Sequence, residues 1–149
     1  MILPSTTDRV PLNSTEAANC RIMERTEANI KAYRSASAQQ LTRRIKELEE
    51  EWDIERTLEA NAAGVVLMGV GLGTFVDRRF FALPGLVAGF LLQHALQGWC
   101  PPLPIFRHLG VRTQSEIDRE IYALKVLRGD FRTMDGSQNS SAVMNAVVR

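Results

Sequence analysis

The chain has 149 residues and a formal net charge of +1, which is one domain's length and leaves no clustered basic face for nucleic acid. Its two cysteines, Cys20 and Cys100, are too few for a disulfide scaffold. Apolar residues are concentrated between positions 60 and 106, and nearly all charged residues lie on either side of that stretch.

The N-terminal segment is predicted to change from disorder to helix at Asn13. Residues 1–12 contain two prolines and no periodic apolar pattern, so we expect them to be disordered. Asn13 and Glu16 have the spacing of a capping box, in which the first residue caps the helix and the second bonds back to it. We therefore place a cytoplasmic helical region over residues 13–58.

The second helix of this region is predicted to be amphipathic, with an apolar seam on one side. Ser37 and Gln40 form another capping-box pair at its start. The seam consists of Leu41, Ile45, Leu48 and Trp52. Acidic residues outnumber basic ones over residues 41–58, so we expect this helix to contact protein and not anionic lipid. The candidate partners are a second copy of the chain, the helix beginning near Ile117, or another protein.

Residues 60–106 are predicted to form a membrane hairpin of two helices. Residues 60–76 and 80–106 carry no charge when His94 is counted as neutral, and only a short charged turn separates them. Spanning a bilayer takes roughly 20 apolar residues, with about 17 as the lower limit. The first stretch is at that limit and the second exceeds it. The alternative is a buried hairpin in the core of a soluble protein.

Glycine spacing favours the membrane. Small residues four apart lie on one face of a helix and let helices approach closely in lipid. In a water-soluble helix each glycine would cost about 1 kcal/mol relative to alanine. The predicted helix-packing residues are Gly64, Gly69, Gly73, Gly85 and Gly89.

Three polar residues interrupt the second apolar stretch: Gln93, His94 and Gln97. Polar residues within a membrane are functional candidates, yet Gln and His also form hydrogen bonds that hold helices together. No carboxylate lies in the same helix, so a proton relay through His94 would lack its second member. Two roles for His94 therefore stay open: hydrogen bonding between the helices, and a function of its own.

The end of the second stretch resembles a known family. The pattern comprises Ala88-Gly89-Phe90-Leu91-Leu92, then Gly98-Trp99-Cys100-Pro101, then Leu109-Gly110. It resembles the YgaP-like transmembrane domain family, bacterial inner-membrane proteins grouped as a domain of unknown function, over about residues 60–113. The resemblance implies a membrane hairpin, and some members are thought to dimerise through their membrane helices. Some members are fused to a sulfur-transferring rhodanese module.

Cys100 is the functional candidate that this resemblance suggests. It follows Trp99, a residue type typical of the membrane–water interface. A reactive thiol needs a nearby cation or a helix N-terminus, whereas Cys100 follows a helix C-terminus. Arg107 or His108 would compensate only if the proline-rich turn folded back. Structural packing and sulfur or redox handling are the two alternatives.

The remaining residues are predicted to form a short helix over 113–129 and a flexible tail over 130–149. Thr113 and Glu116 have capping-box spacing, and Gly129 is suited to end the helix. Lys and Arg residues flank the apolar region on both sides and outnumber the two arginines in the turn. The positive-inside rule therefore places both termini in the cytoplasm.

The sequence predicts an all-α protein of the bacterial inner membrane, with a transmembrane hairpin between cytoplasmic amphipathic helices. No complete active site, metal-ligand set or cofactor motif is visible, so we expect a non-enzymatic anchor or assembly module that forms homo-oligomers in the lipid bilayer. Two alternatives are a membrane partner in sulfur or redox handling through Cys100 and a small transporter subunit using His94.

Overall fold

A computed structural model describes residues 3–132 together with Ser141 and Met144. In that part of the chain all regular secondary structure is helical, which confirms the all-α class. The α-helices are α1 Arg9–Leu12, α2 Glu16–Ala32, α3 Ala38–Glu49, α4 Ile54–Phe75, α5 Ala82–Gln97, α6 Leu103–His108 and α7 Gln114–Arg128, with a 3₁₀ turn at Arg78–Phe81 between α4 and α5. Most of the predicted tail lies outside the described residues.

The helices belong to two compact units. The first contains the residues up to Met23 and Trp52–Ser115, and the second contains Glu24–Glu51 and the described residues from Glu116 onward. In the second unit, α3 packs against α7. Its core consists of Leu41, Ile45, Leu48, Ile117, Ile121 and Leu124. The apolar seam of α3 is therefore covered by α7, one of the three partners that the sequence left open.

The start of α3 confirms the capping box at Ser37. The Gln40 amide donates to the Ser37 hydroxyl at 3.3 Å, and the Ser37 amide donates to the Gln40 side chain at 2.8 Å. The helix ends at Glu49, so residues 41–58 are not one continuous helix. The Asp53 carboxylate accepts from the Arg56 amide at 2.9 Å and begins α4. Trp52 lies between the two helices and is half exposed.

The N-terminal segment is ordered, contrary to the prediction of disorder up to residue 12. Arg9–Leu12 form a helical turn, and Val10 is buried in the core of the first unit. Asn13 does not cap α2, since its side-chain amide donates to the carbonyls of Arg9 and Gln97, each at 2.8 Å. Thr15 occupies the capping position, with its hydroxyl accepting from the Ala18 amide at 3.3 Å.

In the first unit, α4 and α5 run antiparallel and touch through glycine. A Cβ atom at Gly69 would come within 2.7 Å of Pro84, and one at Gly73 would come within 2.9 Å of the Phe81 ring. Both helices are long and apolar enough to cross a membrane, within Ala38–Phe75 and Arg78–Gln97.

The other three predicted packing glycines do not contact the chain's own helices. A Cβ atom at Gly64, Gly85 or Gly89 would meet nothing within 4 Å. The spacing of four residues therefore identifies glycines that share a face, without specifying whether a neighbouring helix occupies it.

The second apolar helix ends at Gln97, before the prolines at positions 101, 102 and 104. Gly98 has φ +79 and its amide donates to the His94 carbonyl at 2.7 Å, so a left-handed glycine ends α5. A Cβ atom at Gly98 would collide with the Arg9 carbonyl. Glycine is required at this position both by its backbone conformation and by the close approach of the N-terminal segment.

Candidate functional site

The most polar buried position in the helix pair is His94, near the end of α5. Its side chain is only 5% exposed, and Nε2 lies 2.9 Å from the Glu55 carboxylate. Glu55 belongs to the first turn of α4, where the helix dipole stabilises a negative charge. The antiparallel order of α4 and α5 brings these two residues together although they are 39 positions apart.

Arg9 completes the charged cluster. One guanidinium nitrogen donates to Glu55 at 2.8 Å, and the other donates to the Ala95 carbonyl at 2.8 Å. Ala95 lies in the last turn of α5, whose carbonyls have no partner within the helix. Arg9 therefore pairs with the Glu55 carboxylate and also donates a hydrogen bond to a carbonyl at the end of α5.

Cys100 follows the end of α5. It is 4% exposed and belongs to the apolar core of the first unit, with Ile54, Leu58 and Leu103. The Nδ1 atom of His94 has no hydrogen-bond partner among the described residues.

This order of groups resembles the usual way of activating a nucleophile. A base takes the proton of the thiol, and a third group orients the base. Here the thiol, the imidazole and the carboxylate belong to Cys100, His94 and Glu55. No hydrogen bond joins the imidazole to the thiol, so this relay is incomplete among the described residues.

An apolar cavity of about 290 Å³ opens beside the thiol. Leu58, Asn61, Ala62 and Val65 form one face of α4, and α5 contributes Val87, Phe90 and Leu91. Cys100, Pro102 and Phe106 complete the lining, in which Asn61 is the polar exception. The Asn61 amide is itself engaged, since it donates to the Thr57 carbonyl at 2.8 Å.

The structure brings together only some of the residues that the sequence suggested as site candidates. His94 and Cys100 come together, whereas the side chain of Gln97 is exposed and Gln93 is half-buried. Arg107 is not the cation beside Cys100, because it donates to Asn19 at 2.8 Å and to the Val111 carbonyl at 3.0 Å. His108 instead contacts Arg21 at 3.0 Å.

Glu55 and Arg9 are the two members of the cluster that sequence reasoning missed. Arg9 belonged to a segment that was expected to be disordered, and Glu55 belonged to a helix with many other acidic residues. The signal that could have found Glu55 is the antiparallel register of α4 and α5, which places the start of one beside the end of the other. In residues 3–132, no group of three or more His, Cys, Asp or Glu side chains could hold a metal ion.

Comparison with known proteins adds no identification. No family model, no curated protein and no solved structure matches the chain.

Proposed function

We propose that this chain is a small integral protein of the bacterial inner membrane that acts as a non-enzymatic anchor or assembly module. The observation that carries the proposal is the apolar outer surface of α4 and α5. Leu67 is 72% exposed and Phe75 is 87% exposed, and only 17% and 6% of the residues in the two apolar windows are buried. Core helices of a soluble protein would be mostly buried, whereas lipid would cover this surface.

The length of α4 supports the same proposal. With a rise of about 1.5 Å per residue, the 22 residues of α4 extend about 33 Å, close to the ~30 Å of a bilayer's hydrocarbon core. The charged cluster of Arg9, Glu55 and His94 lies at the end of the pair opposite the turn. Charged groups are expensive at the bilayer centre and much less so near the interface. In the proposed arrangement this cluster would therefore lie at one membrane–water boundary and not at the bilayer centre.

Orientation follows from the same proposal. The turn between the helices would face the periplasm, and both termini would be cytoplasmic because the flanking segments hold more Lys and Arg. Reporter fusions test this arrangement. An alkaline phosphatase domain inserted after Arg79 should be active, and the same domain fused after Arg149 should be inactive. The reverse pattern would refute the orientation.

Homo-oligomers would form through the Gly85 and Gly89 face of α5. Gly69 and Gly73 are already covered by the chain's own residues, while Gly85 and Gly89 are open. Small residues four apart are a common way for helices to associate in lipid. The resemblance to the YgaP-like family, some members of which are thought to dimerise through their membrane helices, supports assembly within the membrane but does not select a face.

Cross-linking in membranes tests that face. Gly85→Leu with Gly89→Leu should reduce the cross-linked dimer at least severalfold, because the added side chains keep a second helix away. The matched control is Gly64→Leu, which also enters open space but lies on α4. Unchanged dimers in the double variant would refute assembly through this face.

The structure favours neither of the other two functions that the sequence left open. A buried Cys100 is poorly placed to exchange with the disulfide of another protein, and the only other cysteine, Cys20, is exposed on α2. The ion pair with Glu55 accounts for a buried His94 without transport. The anchor remains the function that the geometry supports best.

A further inference from the structure

We propose that α6 lies in the membrane–water interface at the end of α5, with Phe106, Leu109 and Ile105 facing the lipid acyl chains. This proposal rests on the anchor proposed above and deepens it, because it assigns the bilayer surface as the partner of a helix outside the two spanning helices. The part of the bilayer that α6 would contact is the boundary between lipid headgroups and acyl chains.

The chain reverses after α5, so that α6 returns alongside the helix pair. Gly98 ends α5, and Leu103 at the start of α6 is buried in one core with Leu58 of α4. Phe106 then lines the same apolar cavity as Phe90. Phe90 lies about two turns before the end of α5, or about 10 Å at a rise of about 1.5 Å per residue. The reversal therefore places α6 beside the membrane pair, within reach of the same lipid.

The exposed side of α6 is an apolar sector that continues outward from this cavity. Successive residues of an α-helix are about 100° apart, so Leu109 lies next to Phe106 around the helix and Ile105 lies next to Leu109. Ile105 is 62% exposed and Leu109 is 69% exposed. Because Phe106 shares a cavity with apolar side chains of both α4 and α5, lipid that covers those helices would extend without a break over the sector.

Arg107 is on the opposite side of α6 from this sector. Its side chain is buried, and it donates to the Ser14 hydroxyl at 3.1 Å, the Asn19 side chain at 2.8 Å and the Val111 carbonyl at 3.0 Å. A helix surrounded by water normally presents its arginine to the solvent. In α6 the arginine is inside and two large aliphatic side chains are outside, which is the order expected where acyl chains cover the exterior.

His108 forms a polar edge where the apolar sector ends. It follows Ile105 around the helix, and its Nδ1 atom lies 3.0 Å from a guanidinium nitrogen of Arg21. Both of these polar side chains are exposed. Helices that lie in the interface bury an apolar face about 5–10 Å into the headgroup region and keep basic groups near the lipid phosphates. α6 has the same order of groups, with its apolar sector beside the spanning helices and its polar edge farther out.

The test measures depth in the bilayer at single positions of the full chain, reconstituted in vesicles of phosphatidylcholine and phosphatidylglycerol. A nitroxide label is attached at Ile105→Cys, Leu67→Cys or Val126→Cys. All three variants also carry Cys20→Ser, and a chain with that change alone reports any label on Cys100. Oxygen collides most often with labels in lipid, whereas a water-soluble nickel chelate collides most often with labels in water. Val126 is the matched control, because it is 61% exposed and apolar but belongs to α7.

The ratio of oxygen to nickel collisions at position 105 should be at least severalfold higher than at position 126. Equal ratios at 105 and 126, with position 67 in lipid, would overturn this proposal and leave the anchor intact. A low ratio at all three positions would refute both proposals. Spin–spin broadening at position 105 that disappears on dilution with unlabelled chain would also overturn this proposal, because a second copy would then cover the face.

A second measurement uses the native chain and does not depend on the folding of a variant. Vesicles that contain a phospholipid with a photoactivatable acyl chain are irradiated, and peptide fragmentation locates the lipid adducts. Adducts should occur within residues 103–109 as well as in α4 and α5, and should be at least severalfold fewer in α7. Adducts confined to α4 and α5 would overturn the proposal for α6 while supporting the anchor.

Discussion

The pair α3/α7 and the pair α4/α5 are built by opposite rules. In α3/α7 the large aliphatic residues face each other and form a core, with Leu48 and Leu124 at 1% and 0% exposure. In α4/α5 the contact is made at Gly69 and Gly73, and large aliphatic residues such as Leu67 face outward. The first rule is that of a protein in water and the second is that of helices in lipid.

Charges follow the same division. Glu120 of α7 is fully buried and is held by Arg44 at 2.9 Å and by Asn29 at 3.2 Å. Desolvation by burial is the largest single influence and lowers the pKa of Arg44. The hydrogen bond to Glu120, the charge of Glu120 and the hydrogen bond to Glu47 together outweigh it, so the pKa of Arg44 is raised above its ordinary value. In α4/α5 the charged side chains lie near the ends, with Glu55 in the first turn. Both differences, in packing and in the placement of charge, are those expected if α4 and α5 lie in lipid as we propose.

The largest expected difference in stability is between truncating a leucine in α3/α7 and truncating a leucine in α4/α5. Leu124→Ala should destabilise the second unit by about 2–5 kcal/mol, because it removes a fully buried side chain. Leu67→Ala should change stability by less than ~0.5 kcal/mol, since Leu67 is 72% exposed. Thermal unfolding in detergent micelles, followed by far-ultraviolet circular dichroism, measures both. Equal losses would remove the contrast between the pairs.

The end of α5 should be the next most sensitive position. Gly98→Ala should cost about 1–3 kcal/mol, because the left-handed backbone disfavours a side chain and the Arg9 carbonyl occupies its space. Gly71→Ala is the control, since Gly71 is helical and its Cβ atom would meet nothing within 4 Å. That control should be neutral or stabilising by up to ~1 kcal/mol. The same unfolding measurement compares the two, and a neutral Gly98→Ala would contradict the role of the N-terminal segment.

The glycine contact between α4 and α5 should respond to a single methyl group. Gly69→Ala should destabilise the pair by about 1–3 kcal/mol, because the ring of Pro84 has little freedom to move away. Gly89→Ala adds the same methyl group to open space and should have no such cost. Resistance to unfolding in a series of increasingly harsh detergents would rank the variants. Equal resistance would show that the contact at Gly69 does not hold the pair together.

The smallest effect concerns pH at the end of α7. The Arg128 guanidinium donates to Asp130 at 2.8 Å and holds the pKa of that carboxyl below its ordinary value. The pair therefore contributes stability above the unfolded pKa of ~3.9, and this contribution disappears as the pH falls through the lower folded pKa.

The expected loss is about 0.2–1 kcal/mol, as for other ion pairs near a surface. Asp130→Asn should remove this part of the pH dependence, measured as the difference in unfolding free energy between pH ~6 and pH ~3. An unchanged difference in the variant would show that the Arg128–Asp130 pair does not contribute.

Local patterns predicted the helices well. The capping box at Ser37, the apolar seam of α3 and the glycine after α7 all depend on residues within one or two turns. Two long uncharged stretches were sufficient to predict two helices apolar enough to span a membrane. Each of these features is decided by interactions close in sequence.

The candidate site could be predicted only in part, because it depends on distant contacts. His94 and Cys100 were visible as unusual residues, but their partner Glu55 is set by the register of α4 against α5. The order of residues 9–12 arises from the carbonyls at the end of α5, which no local pattern reveals. Which glycine pair becomes covered depends on the position of Phe81 and Pro84 after the turn.

Alkaline carbonate extraction of bacterial membranes containing the full chain tests the central claim most directly. If lipid surrounds α4 and α5, the protein should remain in the membrane pellet and should need detergent to become monodisperse. A protein that is released by carbonate and stays monodisperse in detergent-free buffer would contradict the claim.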